Sequence, residues 1–399
     1  MGGCGAGSYY LPPVMTPVRP GIDTFAERQF MPFQWKRVGL ITNPTGINSR
    51  GTPTVDVLMQ GREIELVALF APEHGIRGDH AAGQQVESTI DAKTGVRVYS
   101  LYGQTKKPTA EMLRGVDVLM FDIQDIGVRS YTYIYTMANC MEAAAEAGIP
   151  FVVLDRPNPL GGELVDGNLL EEEYTSFIGK YPIPYVHGMT TGELAQYFNQ
   201  EFGIGCDLTV MPMSGWKRWM IFYDTGLPWV STSPHIPHAR TPWHYAMTGF
   251  LGELGTLSEG VGYTAPFEYI GASWIDADWL AATMNAAKLQ GVTFIPAHFR
   301  PFYGKFTGEV ISGVRVRVVD HRIIRPYAVG VHLTFAIARR YGADRLFGDA
   351  NMRMFRLAVG TETFESIINK GYSAEAFIAT YATDIGEFFL RRAPYLLYR

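Results

Sequence analysis

The 399-residue chain lacks the features that mark several large classes of protein. Its 34 Lys and Arg residues are outnumbered by 39 Asp and Glu residues and form no dense basic cluster, so nucleic acid is not an expected partner. Apolar runs such as residues 151–154 fall far short of the ~20 residues of a membrane-spanning helix, so no span is expected. Three cysteines, Cys4, Cys140 and Cys206, are too few and too scattered for a disulfide framework or a zinc ribbon.

Glycine-rich phosphate loops and the serine-nucleophile motif are also missing. The first apolar segment is followed by Asn43-Pro44-Thr45-Gly46, and no Gly-x-Gly-x-x-Gly or Gly-x-x-x-x-Gly-Lys-Ser/Thr turn opens a helix. No Gly-x-Ser-x-Gly elbow is present. These absences remove the main support for dinucleotide binding, ATP binding and serine hydrolysis.

What is present describes a globular chain with more than one core. Hydrophobic residues make up 47% of the chain and charged residues 18%, a balance typical of folded proteins. The length exceeds what a single core usually organises. We expect an extended N-terminal segment at residues 1–22, one domain at 23–235 and a second at 236–399.

Apolar strands and helices alternate through the first domain. Strands are predicted at residues 38–42, 66–70, 96–101, 116–122, 149–154 and 208–211, and helices at 54–60, 109–114 and 132–146. Thr190-x-x-Glu193 is a capping-box pattern that opens a further helix to about residue 201. Near-continuous apolar strands separated by helices predict a parallel sheet covered on both faces, a doubly wound α/β domain.

The second domain has a different pattern. Residues 314–318 alternate strictly between Val and Arg, which predicts a half-buried strand. Residues 326–341, 363–370 and 374–392 carry apolar side chains at helical spacing. We expect a smaller α+β domain here.

Reactive side chains collect immediately after the predicted strands of the first domain. In an open parallel sheet, ligands bind outside the carboxyl ends of the strands, so these residues are candidates for catalysis and substrate binding. They are Asn43 and Thr45 after the first strand, Glu73, His74 and Arg77 after the second, Asp122, Gln124, Asp125 and Arg129 after the fourth, and Asp155, Arg156 and Asn158 after the fifth.

Carboxylate chemistry fits these residues best. Cleavage of a glycosidic bond needs an acid for the leaving oxygen and a second group that stabilises the oxocarbenium-like centre. Glu73 lies in the rigid turn Pro72-Glu73-His74-Gly75 and is the leading candidate; the alternative is that it caps a helix or pairs with Arg77. Asp122 and Asp125 either assist Glu73 or satisfy backbone donors and pair with Arg129.

The basic residues of this group have two interpretations each. Arg129 and Arg156 either bind a substrate carboxylate through the guanidinium fork or form structural ion pairs. His74 and His80 beside the aspartates raise the possibility of a metal site, but no tight His-x-x-x-His spacing supports it, and hydrogen-bonded histidines are preferred.

Six motifs together resemble one known family. They are GLITNPTG at residues 39–46, APEHGIRG at 71–78, FDIQDIGVR at 121–129, LDRPNP at 154–159, HGMT at 187–190 and DTGLPWV at 224–230. With these motifs the chain resembles the exo-β-N-acetylmuramidases of the NamZ type, formerly the bacterial DUF1343 domain of unknown function, along nearly its whole length.

The resemblance implies a Rossmann-like domain joined to a smaller C-terminal domain, with the active cleft between them. It implies release of terminal β-linked N-acetylmuramic acid from peptidoglycan fragments without a cofactor, with Glu73 as the catalytic residue. The lactyl carboxylate of that sugar gives Arg129 or Arg156 a ligand. Glu259 is retained on the expected far wall of the cleft.

The chain departs from the family pattern at Val261 and Tyr263, where Arg and Thr are usual, and at His235, where Asn is usual. These departures put the sugar specificity in question. Three hypotheses therefore stand: the muramidase or a related glycosidase of altered specificity, a muropeptide-binding protein without turnover, and a metal-dependent hydrolase that uses His74, Asp122 and Asp125.

The compartment is predicted from one short segment. Gly2-Gly3-Cys4-Gly5 looks like the remains of a lipoprotein processing site, and a cloning remnant explains it equally well. We expect a periplasmic or extracellular protein, with lipid anchoring through Cys4 as an option.

Overall fold

The computed structural model describes residues 17–72, 76, 89–103 and 105–399. Nine strands are described in the first part of the chain, seven of which form one sheet while β7 and β8 pair as a separate hairpin. The strands are β1 Arg37–Thr42, β2 Glu65–Ala71, β3 Thr89–Ile90, β4 Arg97–Ser100, β5 Val118–Asp122, β6 Phe151–Leu154, β7 Asp166–Leu169, β8 Pro184–Val186 and β9 Leu208–Met211.

The large sheet has the strand order β3-β4-β2-β1-β5-β6-β9. All neighbouring strands are parallel except the edge strand β3, which runs antiparallel to β4. From β1 the chain builds outward through β2 and β4, and then from β5 outward on the other side. The order therefore reverses between β1 and β5, and the predicted doubly wound α/β fold is confirmed.

Helices cover both faces of this sheet. They are α1 Gly21–Glu27, α2 Thr54–Gln60, α3 Tyr133–Ala147 and α4 Thr191–Glu201. In β5, Leu119 and Phe121 pack with α3 and α4, whereas Val118 and Met120 pack with α1 and α2. Alternate residues of one strand thus enter opposite cores, which is why the strand is apolar throughout.

The second part of the chain is built on a three-stranded antiparallel sheet. Its strands are β10 Tyr269–Ala272, β11 Val292–Phe299 and β12 Ile311–Val318, in the order β10-β12-β11. The helices are α5 Thr241–Gly252, α6 Ala277–Ala286, α7 Pro326–Tyr341, α8 Ala343–Phe347, α9 Met352–Val359, α10 Thr363–Asn369, α11 Ala374–Thr380 and α12 Ala382–Arg392. None of the helices in the described ranges is long and apolar enough to cross a membrane.

Two predicted helices differ from the structure. Residues 109–114 form a single turn because Gly115 takes a positive φ of 85° and leads directly into β5. The helix predicted at 374–392 is divided into α11 and α12 at Tyr381, whose buried ring packs edge-on against Phe377 at 5.6 Å. The backbone of Tyr381, with φ −108° and ψ 5°, leaves helical geometry at the junction.

The C-terminal end of the chain returns to the first sheet. Phe388 of α12 packs in the core on the α3 and α4 face. Arg392 donates to the carbonyl oxygen of Gly188 at 2.7 Å, and the Tyr398 hydroxyl donates to Asp155 Oδ2 at 2.6 Å. These long-range contacts tie the last residues to the loops that follow β6 and β8.

Candidate functional site

The carboxyl ends of β1 and β5 lie side by side where the strand order reverses. Thr42 pairs with Asp122 across the two strands, and Thr42 Oγ1 donates to the Asp122 carbonyl oxygen at 2.8 Å. Beyond the strand ends, the Gln124 N–H donates to Thr45 Oγ1 at 2.9 Å. The loops that carry the predicted site residues of β1 and β5 are thus fastened to each other.

Three amide side chains shape these loops. Asn43 Oδ1 accepts from the Thr45 N–H at 2.9 Å, and Gln124 Nε2 donates to the carbonyl oxygens of Asp125 and Pro157 at 2.8 Å each. Asn158 Nδ2 donates to the Met189 carbonyl oxygen at 3.0 Å. Asn43, Gln124 and Asn158 are therefore brought together as predicted, with much of their hydrogen-bonding capacity used inside the protein. Their contact with substrate stays a prediction.

Asp122 and Arg156 form a fully buried bidentate pair. Arg156 Nε lies 2.5 Å from Asp122 Oδ1, and Arg156 Nη2 lies 3.0 Å from Oδ2. Thr54 Oγ1 also donates to this carboxylate. The cavity beside Arg156 is only about 10 Å³, which is room for at most one water molecule. This geometry favours the structural alternative for both residues.

Arg129 is fully buried and bound to main-chain oxygens. Its guanidinium donates to the carbonyl oxygens of Asn168 at 2.7 Å, Ile183 at 3.0 Å, Ala358 at 3.3 Å and Val359 at 2.5 Å. These partners come from β7, the segment before β8, and the end of α9. Arg129 therefore fastens the two halves of the chain together, and the geometry favours its structural role over binding of a substrate carboxylate.

Among the described carboxyl groups at this edge, Asp125 keeps one oxygen without a partner. Its Oδ2 accepts from the Gly127 N–H at 2.7 Å, while Oδ1 is buried and has no hydrogen-bond partner among the described residues. Burial raises the pKa of Asp125 to about 7, and hydrogen bonds from backbone N–H groups only partly offset this effect. A carboxyl group whose pKa lies near neutrality, at the switch point of a parallel sheet, suits acid–base chemistry.

His187 is the neighbour of Asp125 that the residue-by-residue reasoning missed. Its Nε2 lies 4.0 Å from Asp125 Oδ2, is buried and has no hydrogen-bond partner in the described part of the chain. The Met189 N–H donates to His187 Nδ1 at 3.2 Å, so the proton of the neutral ring is on Nε2. Burial, assisted by the Arg392 charge, lowers the pKa of His187 to about 3. The available signal was its place in the HGMT motif at residues 187–190.

Glu259 lies in the second domain near the carboxyl end of α5. A Cβ atom at Gly252 would lie 2.6 Å from Glu259 Cδ, so glycine is required where this side chain crosses the helix. Burial raises the pKa of Glu259 to about 7, and the nearby Glu253 carboxylate adds to the effect. Its predicted contact with substrate remains untested.

Two of the departures from the family pattern contact the same loop. Tyr263 packs against Phe302, with ring centroids 5.7 Å apart, and His235 stacks on Tyr303 at 6.0 Å. Val261 packs on the core of the second domain. Tyr263 and His235 therefore act on one surface element, and their effect on specificity stays a prediction.

Several sequence predictions lie outside the described residues. Glu73, His74, Arg77 and His80 are among these, as is Cys4. In the part of the chain that the structure describes, no three His, Cys, Asp or Glu side chains are grouped so that they could hold a metal ion.

The fold and the strand-end residues define a class of protein. A doubly wound domain presents a carboxyl group with a near-neutral pKa at its switch point, and a second α+β domain adjoins it. This combination defines a two-domain α/β protein whose candidate site, with a buried carboxyl group, lies at the switch point of the sheet.

Comparison with known proteins identifies the family. The family model described as exo-beta-N-acetylmuramidase NamZ, N-terminal, matches residues 38–240, and the corresponding C-terminal model matches residues 243–398. The chain is 49% identical over 381 residues to the peptidoglycan beta-N-acetylmuramidase NamZ of Bacillus subtilis (strain 168), covering 96% of this chain and 91% of that protein.

Two solved structures from Bacteroides fragilis NCTC 9343, both of DUF1343 family proteins, have the same fold. One superposes with a TM-score of 0.91 at 42% identity and the other with 0.78 at 31%, and each match covers 96% of this chain and 99% of the other. The chain belongs to the NamZ exo-beta-N-acetylmuramidase family, a family of glycoside hydrolases, and the resemblance seen in its motifs is confirmed.

Proposed function

We propose that this protein is an exo-acting glycoside hydrolase that releases terminal β-linked N-acetylmuramic acid from the non-reducing end of peptidoglycan fragments. Membership of the NamZ family across both domains supports the activity and the substrate class. The observation that carries the site assignment is Asp125, because its free oxygen and near-neutral pKa lie at the switch point of the sheet.

Glu73 is assigned as the general acid and base of this reaction. The assignment rests on its Pro72-Glu73-His74-Gly75 motif and on its position after β2, a neighbour of β1 in the sheet. A glycosidase needs a second group that stabilises the positive charge developing at the anomeric carbon. Asp122 is neutralised by Arg156, so Asp125 in its ionised form is assigned this role.

His187 is assigned as the positioning residue for Asp125. At 4.0 Å the pair is too far apart for a hydrogen bond, but catalytic hydrogen bonds in structures without substrate are often long and shorten when substrate binds. A neutral ring that donates from Nε2 stabilises the carboxylate form of Asp125 and restricts its orientation.

Product analysis with defined glycosides tests the activity. The purified protein is incubated with a MurNAc-GlcNAc disaccharide and with a glucosaminyl glycoside, and products are followed by mass and by the NMR anomeric signal. Release of N-acetylmuramic acid from the first substrate alone is expected, and the anomeric signal also gives the stereochemical outcome. Saturable binding without product would instead support the binding-protein alternative. Preferred cleavage of the glucosaminyl glycoside would support altered sugar specificity.

Action outside the cytoplasm is part of the proposal, because peptidoglycan fragments are the substrate. The candidate lipidation site at Cys4 is tested by metabolic labelling with a clickable fatty acid and by cell fractionation. Label that is absent from a Cys4→Ala variant supports the anchor, whereas equal labelling of both proteins argues against it.

A further inference from the structure

A groove of about 400 Å³ lies between the two parts of the chain and is separate from the small cavity beside Arg156. One side is Tyr223, from the turn before the DTGLPWV motif, and the floor is the outer face of the second sheet. We call it the arginine groove, defined by Tyr223, Arg240, Glu268, Ile295, Arg315 and Arg317.

The arginine groove carries a net positive charge. Glu268 is buried between two guanidinium groups, with Arg240 Nε 2.7 Å from Oε1 and Arg315 Nη2 2.8 Å from Oε2. Although burial opposes ionisation, these hydrogen bonds hold the pKa of Glu268 below its ordinary value. Three arginines and one carboxylate therefore line the groove, and Asp224 and Asp320 lie near His321, which also lines it, in a protein whose formal net charge is −5.

Hydrogen-bond donors remain free in this groove. Arg240 uses Nε for Glu268 and leaves both terminal nitrogens without a partner among the described residues. Arg317 is exposed and forms no ion pair with any described residue. It lies two positions after Arg315 on β12 and therefore on the same face of the sheet. Free guanidinium donors on a rigid strand suit bidentate binding of a carboxylate.

The groove adjoins the two walls expected for the active cleft. Tyr223 directly follows Phe222, which lines the small cavity beside Gln124 and Arg156 at the strand ends. On the other side, Arg315 lies over the ring of Tyr269 at 5.7 Å, and Tyr269 contacts Tyr263 with ring centroids 5.4 Å apart. A glycan held at the strand ends can therefore extend toward Arg317.

We infer that the arginine groove binds a carboxylate on the part of the glycan beyond the cleaved bond. The inference rests on the proposed function: beyond the terminal muramic acid and the glucosamine next to it, the third sugar of a peptidoglycan strand is again muramic acid, with a lactyl carboxylate. The terminal nitrogens of Arg129 and the Nε and Nη2 atoms of Arg156 are bonded inside the protein, whereas the terminal nitrogens of Arg240 and Arg317 have no partner among the described residues.

Substrates of different length distinguish binding in the arginine groove from binding at the site of bond cleavage. The values of kcat/KM are measured for the MurNAc-GlcNAc disaccharide and for the tetrasaccharide that contains two such units, with wild type and Arg317→Ala. We expect kcat/KM of the variant to fall about fivefold on the tetrasaccharide, the order of one exposed ion pair, and less than twofold on the disaccharide. For a tetrasaccharide whose second lactyl carboxylate is reduced to the alcohol, wild type and Arg317→Ala should have the same kcat/KM.

Two controls complete the experiment. Arg62→Ala removes an exposed arginine before β2, at the opposite end of the sheet. This substitution should leave kcat/KM unchanged for both substrates. Binding of the tetrasaccharide, measured by calorimetry in the inactive Glu73→Gln background with and without Arg317→Ala, does not depend on turnover. Equal affinity, or an equal loss of kcat/KM on both substrates, overturns the groove assignment. Failure of the wild type to cleave the disaccharide counts against the proposed function instead, and the calorimetry still decides the groove.

Discussion

The Asp125→Asn substitution should lower the activity of the enzyme at pH 8 and, at that same pH, raise its unfolding free energy. In the folded protein the pKa of Asp125 is about 7, against an ordinary value of 3.8. The folded state therefore binds one more proton than the unfolded state between these values, and stability falls as pH rises through this window. The difference corresponds to about 4 kcal/mol of unfolding free energy lost by about pH 8.

The substitution removes this ionisation but keeps an oxygen that can accept from the Gly127 N–H. An unpaired amide donor in the buried site costs about 1–2 kcal/mol. We therefore expect the unfolding free energy of the variant to exceed that of wild type by about 2–3 kcal/mol at pH 8. This difference should shrink toward pH 5. Urea unfolding followed by tryptophan fluorescence at several pH values measures this difference.

Loss of the ionised carboxylate should reduce kcat/KM by about 100-fold, the order of a preorganised electrostatic contribution. It should also abolish the acidic limb of the pH–rate profile. Asp117→Asn is the matched control, because hydrogen bonds from Arg37 lower the pKa of Asp117 to about 2. The Asp117→Asn substitution should lower the unfolding free energy above pH 4 and leave kcat/KM unchanged. A less stable Asp125→Asn protein with wild-type rates at pH 8 would refute the reasoning.

Three further predictions concern residues around the site. Glu73→Gln should abolish turnover of the MurNAc-GlcNAc disaccharide while calorimetry still detects binding; full activity would remove Glu73 from the mechanism. His187→Phe should raise the pKa of Asp125 and move the acidic limb of the kcat/KM profile to higher pH, whereas His187→Gln, which keeps a donor, should restore much of it; identical profiles would contradict the positioning role. Arg129→Met should lower the unfolding free energy by about 3 kcal/mol or more, because four buried carbonyl oxygens lose their donor; a raised KM without loss of stability would instead support binding of substrate.

Local sequence patterns determined much of the first domain. The helix Thr54–Gln60 and the strand Leu208–Met211 lie where their apolar patterns predict them. The Thr190 and Glu193 capping box is formed, with the Glu193 N–H donating to Thr190 Oγ1 at 3.2 Å and the Thr190 N–H donating to the Glu193 carboxylate at 3.0 Å. These elements are predictable because the interactions that define them lie within a few residues.

The residues at the strand ends were also predictable as a group. Parallel strands end at one edge of a sheet, so any polar residue that follows them is placed near the others. The sequence could not assign roles within that group, because a role depends on which partner occupies each side chain. Asp122 and Asp125 are three positions apart, yet one is neutralised by Arg156 and the other retains a free oxygen.

The sequence by itself determined the doubly wound domain, the family motifs and the edge at which reactive residues collect, since these follow from periodicity and short-range contacts. Only the tertiary structure decided that Arg129 holds backbone oxygens from both halves of the chain, that His187 lies beside Asp125, and that Arg240, Arg315 and Arg317 share one groove. These pairings join residues far apart in the chain. The charge, burial and pKa values at the site therefore depend on long-range packing, which local sequence patterns do not predict.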